Sequence, residues 1–359
     1  MYNYKNIILG IILNSVIFCA QFSKKGVLTL GSIAGNDAPQ QWSKYQSNIS
    51  YIPTISFKQN ILTQSLFDLE WGYRLQLDFS GDSLYKTIQE TYRGWARYSN
   101  EKLEARLGLQ KIIFGPTQIL RPLSWFDNFD LKNPTNETNG VQALRLKWFS
   151  LNNSSLWTWL IRNDSDKTSY GGRYEFLLSI GEIGLTIHSD PKNNHQIIGQ
   201  PGISIDEAHK RVAIDYRYDG IIGLWNESAV IRSETSQIRI STLGADYTLP
   251  ILNGLLIMAE SMHTSNKINE KNEIKNYTAF MASMPAGMTH FGMYVSQIDW
   301  SENKVYHYLR WSSTFDNYSL NWIFSLNPKR NQYDVGKNIL PKSIAGFGAN
   351  IQFMFIYHH

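Results

Sequence analysis

The chain has 359 residues with a formal net charge of +4 at neutral pH, and 13% of its residues are aromatic. The charges are spread along the chain, which argues against a nucleic-acid-binding patch and against a polybasic membrane anchor. Beyond the N-terminal segment, no stretch approaches the roughly 20 apolar residues of a membrane helix, so a membrane span would have to be built from strands.

Residues 1–20 predict a cleaved secretory signal peptide. Lys5 supplies a positive charge, an apolar segment follows it, and Ala20 precedes the expected cleavage site. Lipid attachment at Cys19 is the alternative to simple cleavage. Cys19 is the only cysteine of the chain, so the mature protein, residues 21–359, is expected to contain neither a disulfide nor a thiolate metal site.

An alternation with a period of two dominates the remainder of the chain. Between Leu69 and Phe79, every odd-numbered residue is large and apolar, whereas the even-numbered residues include Glu70, Arg74 and Asp78. A soluble sandwich would explain one such strand. Charged faces opposite large apolar faces, repeated in strand after strand, are typical of a transmembrane β-barrel.

The breaks in this alternation predict eighteen strands, with sixteen as the alternative. In chain order the strands are predicted near residues 26–34, 48–57, 66–79, 89–98, 102–112, 141–151, 155–162, 172–180, 182–189, 209–218, 221–231, 237–249, 254–262, 276–284, 288–298, 304–314, 317–327 and 344–357. With both termini in the periplasm, the short turns fall on the periplasmic side and the longer connections outside. These longer connections are predicted at 35–47, 80–88, 113–140, 163–171, 190–208, 263–275 and 328–343. Residues 21–359 are therefore predicted to form a single all-β domain, a transmembrane antiparallel up-and-down β-barrel.

The last predicted strand carries aromatic residues on one face. This face consists of Ala349, Ile351, Phe353, Phe355 and Tyr357. A signal peptide, a long run of amphipathic strands and an aromatic final strand resemble the bacterial outer-membrane porins, although porins usually end on Phe and this chain ends on His359. The segment GLQKIIFGPTQILRPLSWFDNFD, residues 108–130, is similar to that of uncharacterised outer-membrane proteins of Gram-negative bacteria. The resemblance implies an outer-membrane location and a role in solute passage.

The third external connection, residues 113–140, is far longer than an ordinary turn, which favours a functional loop. The resemblance to porins implies that this loop folds into the barrel and narrows it. Its aromatic residues are apolar enough to pack against the inner wall. The predicted constriction residues are Arg121, Trp125, Phe126, Asp127 and Asp130. An external cap or a subunit contact is the alternative.

Charged side chains on the polar strand faces are predicted to line the pore. The candidates are Glu70, Arg74, Arg93, Trp95, Arg97, Glu104, Arg106, Arg145 and Lys147. Opposed charges across a narrow aqueous gap create a transverse field that sorts solutes by charge. More cations than anions are assigned inward, with Arg162 and Arg239 among the cations, and this excess indicates a weak preference for anions.

Aromatic residues outside the loop have two interpretations. Trp95 shares the inward face of two arginines, where it offers a flat apolar surface for stacking a sugar ring. Most of the others, including Trp157 and Trp159, are assigned to the girdles at the lipid–water boundaries.

Three histidines flank one long external connection: His188, His195 and His209. Their spacing is irregular, so solvated loop histidines are favoured over a metal site. The sequence also has no nucleophile elbow and no zinc-binding histidine pair. We therefore expect no catalytic residue, no cofactor and no metal.

The predicted function is a porin-like passive channel for small hydrophilic solutes across the outer membrane, with its bore set by loop 113–140 and by lumen arginines. The expected partners are outer-membrane lipid and small solutes, and the oligomeric state is left open between monomer and trimer. Two alternatives remain: a barrel that exports or attaches a surface polysaccharide, and a membrane-embedded hydrolase.

Overall fold

A computed structural model describes residues 20–38, 42–62, 64–162, 167–191, 197–198, 203–204, 207–268, 271–329 and 344–359. The expected signal peptide lies outside these residues except for Ala20. No helix within the described ranges is long and apolar enough to cross a membrane.

The described residues form twenty β-strands. In chain order they are β1 (Gln21–Gly35), β2 (Tyr45–Leu62), β3 (Ser65–Ser80), β4 (Ser83–Ser99), β5 (Leu103–Gln110), β6 (Val141–Phe149), β7 (Ser154–Arg162), β8 (Thr168–Leu178), β9 (Gly181–Asp190), β10 (Ile197–Ile198), β11 (Ile203–Ser204), β12 (His209–Asp219), β13 (Gly223–Arg232), β14 (Ser236–Leu249), β15 (Leu255–Ile268), β16 (Lys271–Ala286), β17 (His290–Asp299), β18 (Lys304–Thr314), β19 (Tyr318–Leu326) and β20 (Ala349–His358).

Eighteen of these strands close into one antiparallel barrel. Each strand pairs with its neighbour in sequence, except that β9 pairs with β12 because β10 and β11 form a separate two-residue hairpin between them. The barrel closes where β1 meets β20, from Val27 opposite His358 to Gly35 opposite Asn350. The prediction of an all-β, eighteen-stranded up-and-down barrel is confirmed.

The two faces of the strands have opposite character, as β3 illustrates. Leu69, Leu75 and Leu77 point outward and are exposed, whereas Arg74 and Asp78 point into the barrel and are buried. A soluble fold would bury the leucines because water disfavours exposed apolar surface. An apolar outer face around a charged interior is the arrangement of a barrel that spans a membrane.

Two of the predicted long connections were wrong. β3 and β4 join through the turn at Gly81 and Asp82, and Gly81 adopts a φ of 57° that suits a tight hairpin. β15 and β16 extend as far as Ile268 and Lys271. The strands continue through these segments, but the segments have no apolar face. The sequence therefore shows no alternation there that would predict a strand. Both hairpins nevertheless lie at the same end as the long connection 111–140, which we call the external end.

Candidate functional site

The connection between β5 and β6, residues 111–140, folds into the barrel. Its apolar side chains, including Ile112, Leu123 and Trp125, are buried. They form one core with inward side chains of β7 and β12–β17, among which are Trp159, Ala213, Trp225, Ile231, Met262 and Val295. The loop therefore fills the lumen next to β7 and β12–β15, where close packing leaves no room for a passage, and its core ends against β16 and β17.

A buried carboxylate of β15 binds the middle of this loop. Glu260 accepts hydrogen bonds from the backbone N–H groups of Gln118 at 2.7 Å, Ile119 at 3.0 Å and Leu120 at 2.6 Å. Trp225 donates a fourth from its indole nitrogen at 3.2 Å. Glu260 is only 1% exposed, so these donors replace the hydrogen bonds that water would otherwise provide.

A second buried carboxylate, on β13, binds the loop on either side of that segment. Glu227 accepts N–H hydrogen bonds from Thr117 at 2.9 Å and Leu123 at 3.1 Å. Gly115 approaches the same group so closely that a Cβ atom there would lie 2.2 Å from a carboxylate oxygen of Glu227, and its φ is 91°. Glycine is required for both reasons. Sequence reasoning missed Glu227 because it lies more than one hundred residues from its partners.

An aromatic cluster fills the space between the loop and the wall. Phe114, Trp125 and Phe126 of the loop meet Trp159 and His188 of the wall, with ring centroids 4.9–6.3 Å apart. The assignment of Trp159 to an outer girdle was therefore wrong, and so was that of Trp157. Both point inward on β7, together with the buried Ser155 and Ile161. Neither face of β7 is clearly polar, so its sequence does not reveal which residues point outward.

Four of the five predicted constriction residues do not face a passage. Arg121 and Asp127 form an ion pair at 2.5 Å inside the loop, with side chains only 5% and 1% exposed. Trp125 and Phe126 are buried in the aromatic cluster. Asp130 lines an open cavity. The four buried residues hold the loop in shape, because a desolvated ion pair and packed rings resist displacement.

The second half of the loop contacts the remaining walls. Lys132 donates to the side chain of Gln297 on β17 at 3.3 Å, and its carbonyl oxygen accepts from the hydroxyl of Tyr308 on β18. Glu137 pairs with Arg74 of β3 at 2.9 Å. Arg93 of β4 donates to the Thr138 carbonyl oxygen at 2.7 Å. The loop is thus attached across the lumen from β3 to β18.

The open space lies on the side of the lumen that the loop core leaves free. One cavity, of about 720 Å³, lies between loop residues 130–134 and strands β16–β20. Its polar wall includes Tyr277, Gln297, Tyr306, Asn327, Asn350 and Gln352. A second cavity, of about 550 Å³, is lined by β1–β4 and also reaches Gln352. Hydroxyl and amide groups therefore dominate the polar lining of this half of the barrel.

Three predicted pore-lining arginines form a row across β4–β6. Arg97 lies directly opposite Arg106, and Arg106 lies directly opposite Arg145. Two carboxylates form ion pairs with the three cations. Asp68 binds Arg97 at 2.7 Å, and Glu104 contacts all three guanidinium groups. Like charges directly opposite each other are destabilising, so this row, which we call the arginine row, favours an additional anion.

The other predicted lining residues extend this region of the wall. Trp95 donates to Glu70 at 3.2 Å and lies 4.4 Å below the guanidinium of Arg106. Lys147 lies 3.5 Å from Glu175, and its ammonium lies 4.1 Å from the ring centroid of Trp157. The ring of Trp95 is thus already in cation–π contact with Arg106, so it is less available for stacking a sugar ring.

The excess of inward cations inferred from the sequence was overestimated. Arg162 and Arg239 are exposed on the outer face, because the residues next to them, Ile161 and Ile238, point inward and are buried. Several inward acids were also missed; they include Asp68, Glu90, Asp190, Glu227 and Asp299. The sum of the charges assigned inward therefore does not by itself indicate a preference for anions.

Two of the three histidines are buried instead of solvated. His188 of β9 and His209 of β12 lie 3.2 Å and 3.3 Å from Asp190, which Arg211 also contacts at 2.5 Å. His195 lies outside the described residues. Within the described ranges, no group of three His, Cys, Asp or Glu side chains is arranged to bind a metal ion.

Comparisons with known proteins agree on the fold. No protein-family model and no curated protein matches the sequence. Among solved structures, OccK2 (OpdF) of Pseudomonas aeruginosa in complex with glucuronate is 8% identical, with a TM-score of 0.61 over 94% of this chain and 98% of that one. A BenF-like porin from Pseudomonas fluorescens Pf-5 is 9% identical, with a TM-score of 0.60 over 95% and 98%. The anion-selective porin from Comamonas acidovorans is 11% identical, with a TM-score of 0.50 over 95% and 100%. The chain has the fold of the Gram-negative outer-membrane porins.

Proposed function

We propose that the protein is a passive outer-membrane channel for small hydrophilic solutes and that loop 111–140 sets its bore. The observation that supports this most strongly is the attachment of the loop across the lumen, by Glu227 and Glu260 on one wall and by Arg74 on the other. A loop bonded to opposite walls divides the interior into a filled side and an open side. Solutes pass through the open side, lined by hydroxyl and amide groups.

We further propose that the preferred solutes are small anions such as carboxylates. The arginine row has three guanidinium groups and two carboxylates in contact with them, and a planar guanidinium binds a carboxylate through two parallel hydrogen bonds. Of the solved structures with the same fold, OccK2 is in complex with glucuronate, and the porin from Comamonas acidovorans is anion-selective.

The test is electrical. Purified protein reconstituted into a planar bilayer is expected to give discrete conductance steps, and a KCl gradient is expected to give a reversal potential on the anion-selective side. Heat-denatured protein at the same concentration is the control. A folded barrel that inserts without conductance would contradict the channel, whereas conductance with cation selectivity would contradict only the preference for anions.

Neither alternative function gains support from a specific observation on the described residues. The solved structures of this fold described above include porins, which act as channels rather than enzymes. We therefore assign no reaction to the buried His188, His209 and Asp190, whose contacts with one another and with Arg211 are those of a structural network.

A further inference from the structure

A cluster of cations lies on the outer face of the barrel near its external end. Lys210 of β12 is directly opposite Arg232 of β13, Arg239 of β14 is one diagonal step from Arg232, and Lys267 of β15 is one diagonal step from Arg239. Opposite pairs in a sheet have Cβ atoms about 5 Å apart and diagonal pairs about 7–8 Å apart. These four residues, which we call the outer cation patch, form one continuous surface.

All four side chains point away from the lumen. Each is exposed. Arg211, Ile231, Ile238 and Ile240, which are next to the first three in sequence, point inward and are buried, and Lys267 follows the alternation set by the inward, buried Met262 and Thr264. On a barrel in a membrane, this outer surface meets the headgroups and upper acyl chains of lipid rather than water. Long cationic side chains at this level extend toward the lipid headgroups.

The outer cation patch has no counterion within the described part of the chain. None of its four side chains forms an ion pair with a described residue, although Lys210 and Arg232 face each other directly. The acids nearest in sequence are Glu207, which bonds to Thr235, and Glu234, which is exposed in the turn above. Like charges at such short spacing repel, so an anion bound between them would stabilise the surface.

An apolar groove runs along the outer face directly below this patch. Val212, Ile214 and Val230 form its apolar sides, and the small side chains of Ser228 and Ser241 form its floor. The groove has a volume of about 300 Å³ and includes Arg239 at its upper edge. Ser228 donates to the side-chain oxygen of Asn226 at 3.0 Å, and Ser241 donates to Ser228 at 2.8 Å, which leaves the floor without an unsatisfied donor toward lipid. A narrow apolar groove with a cation at one end matches an acyl chain attached to an anionic headgroup.

We propose that the outer cation patch binds the phosphate groups of a phosphorylated lipid in the outer leaflet, with one acyl chain of that lipid in the groove. The proposal rests on the proposed function to the extent that both place the barrel in the outer membrane. Arginine and lysine together bind phosphate by charge-assisted hydrogen bonds, and the groove supplies apolar contact that free inorganic phosphate cannot use. The ligand is therefore a lipid and not a soluble ion.

Native mass spectrometry of the full-length barrel in detergent tests this assignment. The probes are lipid A, which carries two phosphates, and dephosphorylated lipid A. The test variant combines Lys210→Gln, Arg232→Gln, Arg239→Gln and Lys267→Gln. The matched control removes four exposed lysines near the opposite end of the barrel, Lys24, Lys25, Lys58 and Lys102, by the same substitution. Heat-modifiable migration on gels establishes that every variant is folded.

Wild type and control are expected to retain lipid A. The test variant is expected to bind it at least about tenfold more weakly, which corresponds to the loss of one charge-assisted hydrogen bond. Dephosphorylated lipid A is expected to bind all three proteins weakly. The assignment would be overturned if the test and control variants retained lipid A equally. It would also be overturned if the wild type retained dephosphorylated lipid A as well as it retains lipid A. A mass shift to a dimer that the test variant loses would instead assign the patch to a contact between copies of the chain.

The same proteins separate this proposal from the channel function. The outer cation patch does not face the lumen, so the folded test variant is expected to keep the single-channel conductance of the wild type. Loss of lipid binding with unchanged conductance supports both proposals. A barrel that binds lipid A through the patch but never conducts would contradict the channel alone.

Discussion

Exchange of the two loop-binding glutamates for glutamine should loosen the constriction loop without unfolding the barrel. Glu227 and Glu260 together accept five N–H hydrogen bonds from the loop backbone. A hydrogen bond to a charged acceptor contributes about 1.5–3 kcal/mol, and one to a neutral acceptor about 0.5–1.5 kcal/mol. Glutamine also carries an NH2 group in place of one carboxylate oxygen, and this group cannot accept a hydrogen bond. Each substitution therefore loses at least one bond outright and weakens the others by about 1 kcal/mol, so the loop loses roughly 6–10 kcal/mol of attachment.

The strands themselves are unchanged in the double variant Glu227→Gln, Glu260→Gln, because the barrel ladder uses backbone groups only. A loosened loop should give larger mean conductance and larger current fluctuations in single-channel recordings. It should also become sensitive to an external protease within residues 111–140, measured by the size of the fragments. The matched control is Asp316→Asn with Glu101→Gln, which removes two exposed acids from turns at the other end.

Current traces of the folded double variant that match wild type and control in amplitude and noise would refute this reasoning. They would mean that the aromatic cluster alone holds the loop, and that the two carboxylates contribute no measurable attachment. A variant that fails to fold would be replaced by each single substitution, for which about half of the loss of attachment is expected.

Three further predictions address other parts of the site. Exchange of the arginine row for glutamine should move the reversal potential in a KCl gradient toward cation selectivity, whereas the same exchange of Lys210, Arg232 and Arg239 on the outer face should leave it unchanged; equal shifts in both variants would contradict the assignment of the row to the ion path. The substitution Gly115→Val should raise conductance as the double glutamine variant does, since its side chain would collide with a carboxylate 2.2 Å away, and wild-type conductance would contradict that steric argument. Replacement of Trp159 by Ala should decrease the free energy of unfolding by about 3–5 kcal/mol. The temperature at which the gel mobility of the barrel changes should therefore fall, and an unchanged temperature would mean that the cluster tolerates a cavity.

The strand number was predictable because a period of two extends over most of the chain. A barrel strand that separates lipid from a charged interior must alternate, and β3 does so from Leu69 to Phe79. The same alternation did not identify the inward face of a strand where its two faces do not differ clearly in polarity. On β7 neither face is clearly polar, so Trp157 and Trp159 were assigned to the wrong side, and on β14 the outward Arg239 was read as a lumen cation.

The candidate site was less predictable than the fold. The length and aromatic content of residues 113–140 identified the loop that enters the barrel. Its interior contacts depend on pairs far apart in sequence, such as Thr117 with Glu227 and Leu120 with Glu260. Period and composition carry no information on such pairs. For this reason the aromatic residues proposed to face the passage proved to be packed behind it, and the arginine row emerged only from the strand register.

The size of the pore with and without the loop tests most directly whether residues 111–140 set the bore. Polymer-exclusion measurements in planar bilayers, using polyethylene glycols of increasing mass, give the radius of the narrowest section for wild type and for a variant that lacks residues 120–132. We expect the folded deletion variant to conduct more and to admit larger polymers than the wild type does. Identical conductance and an identical exclusion limit in a folded deletion variant would contradict the claim that this loop sets the bore.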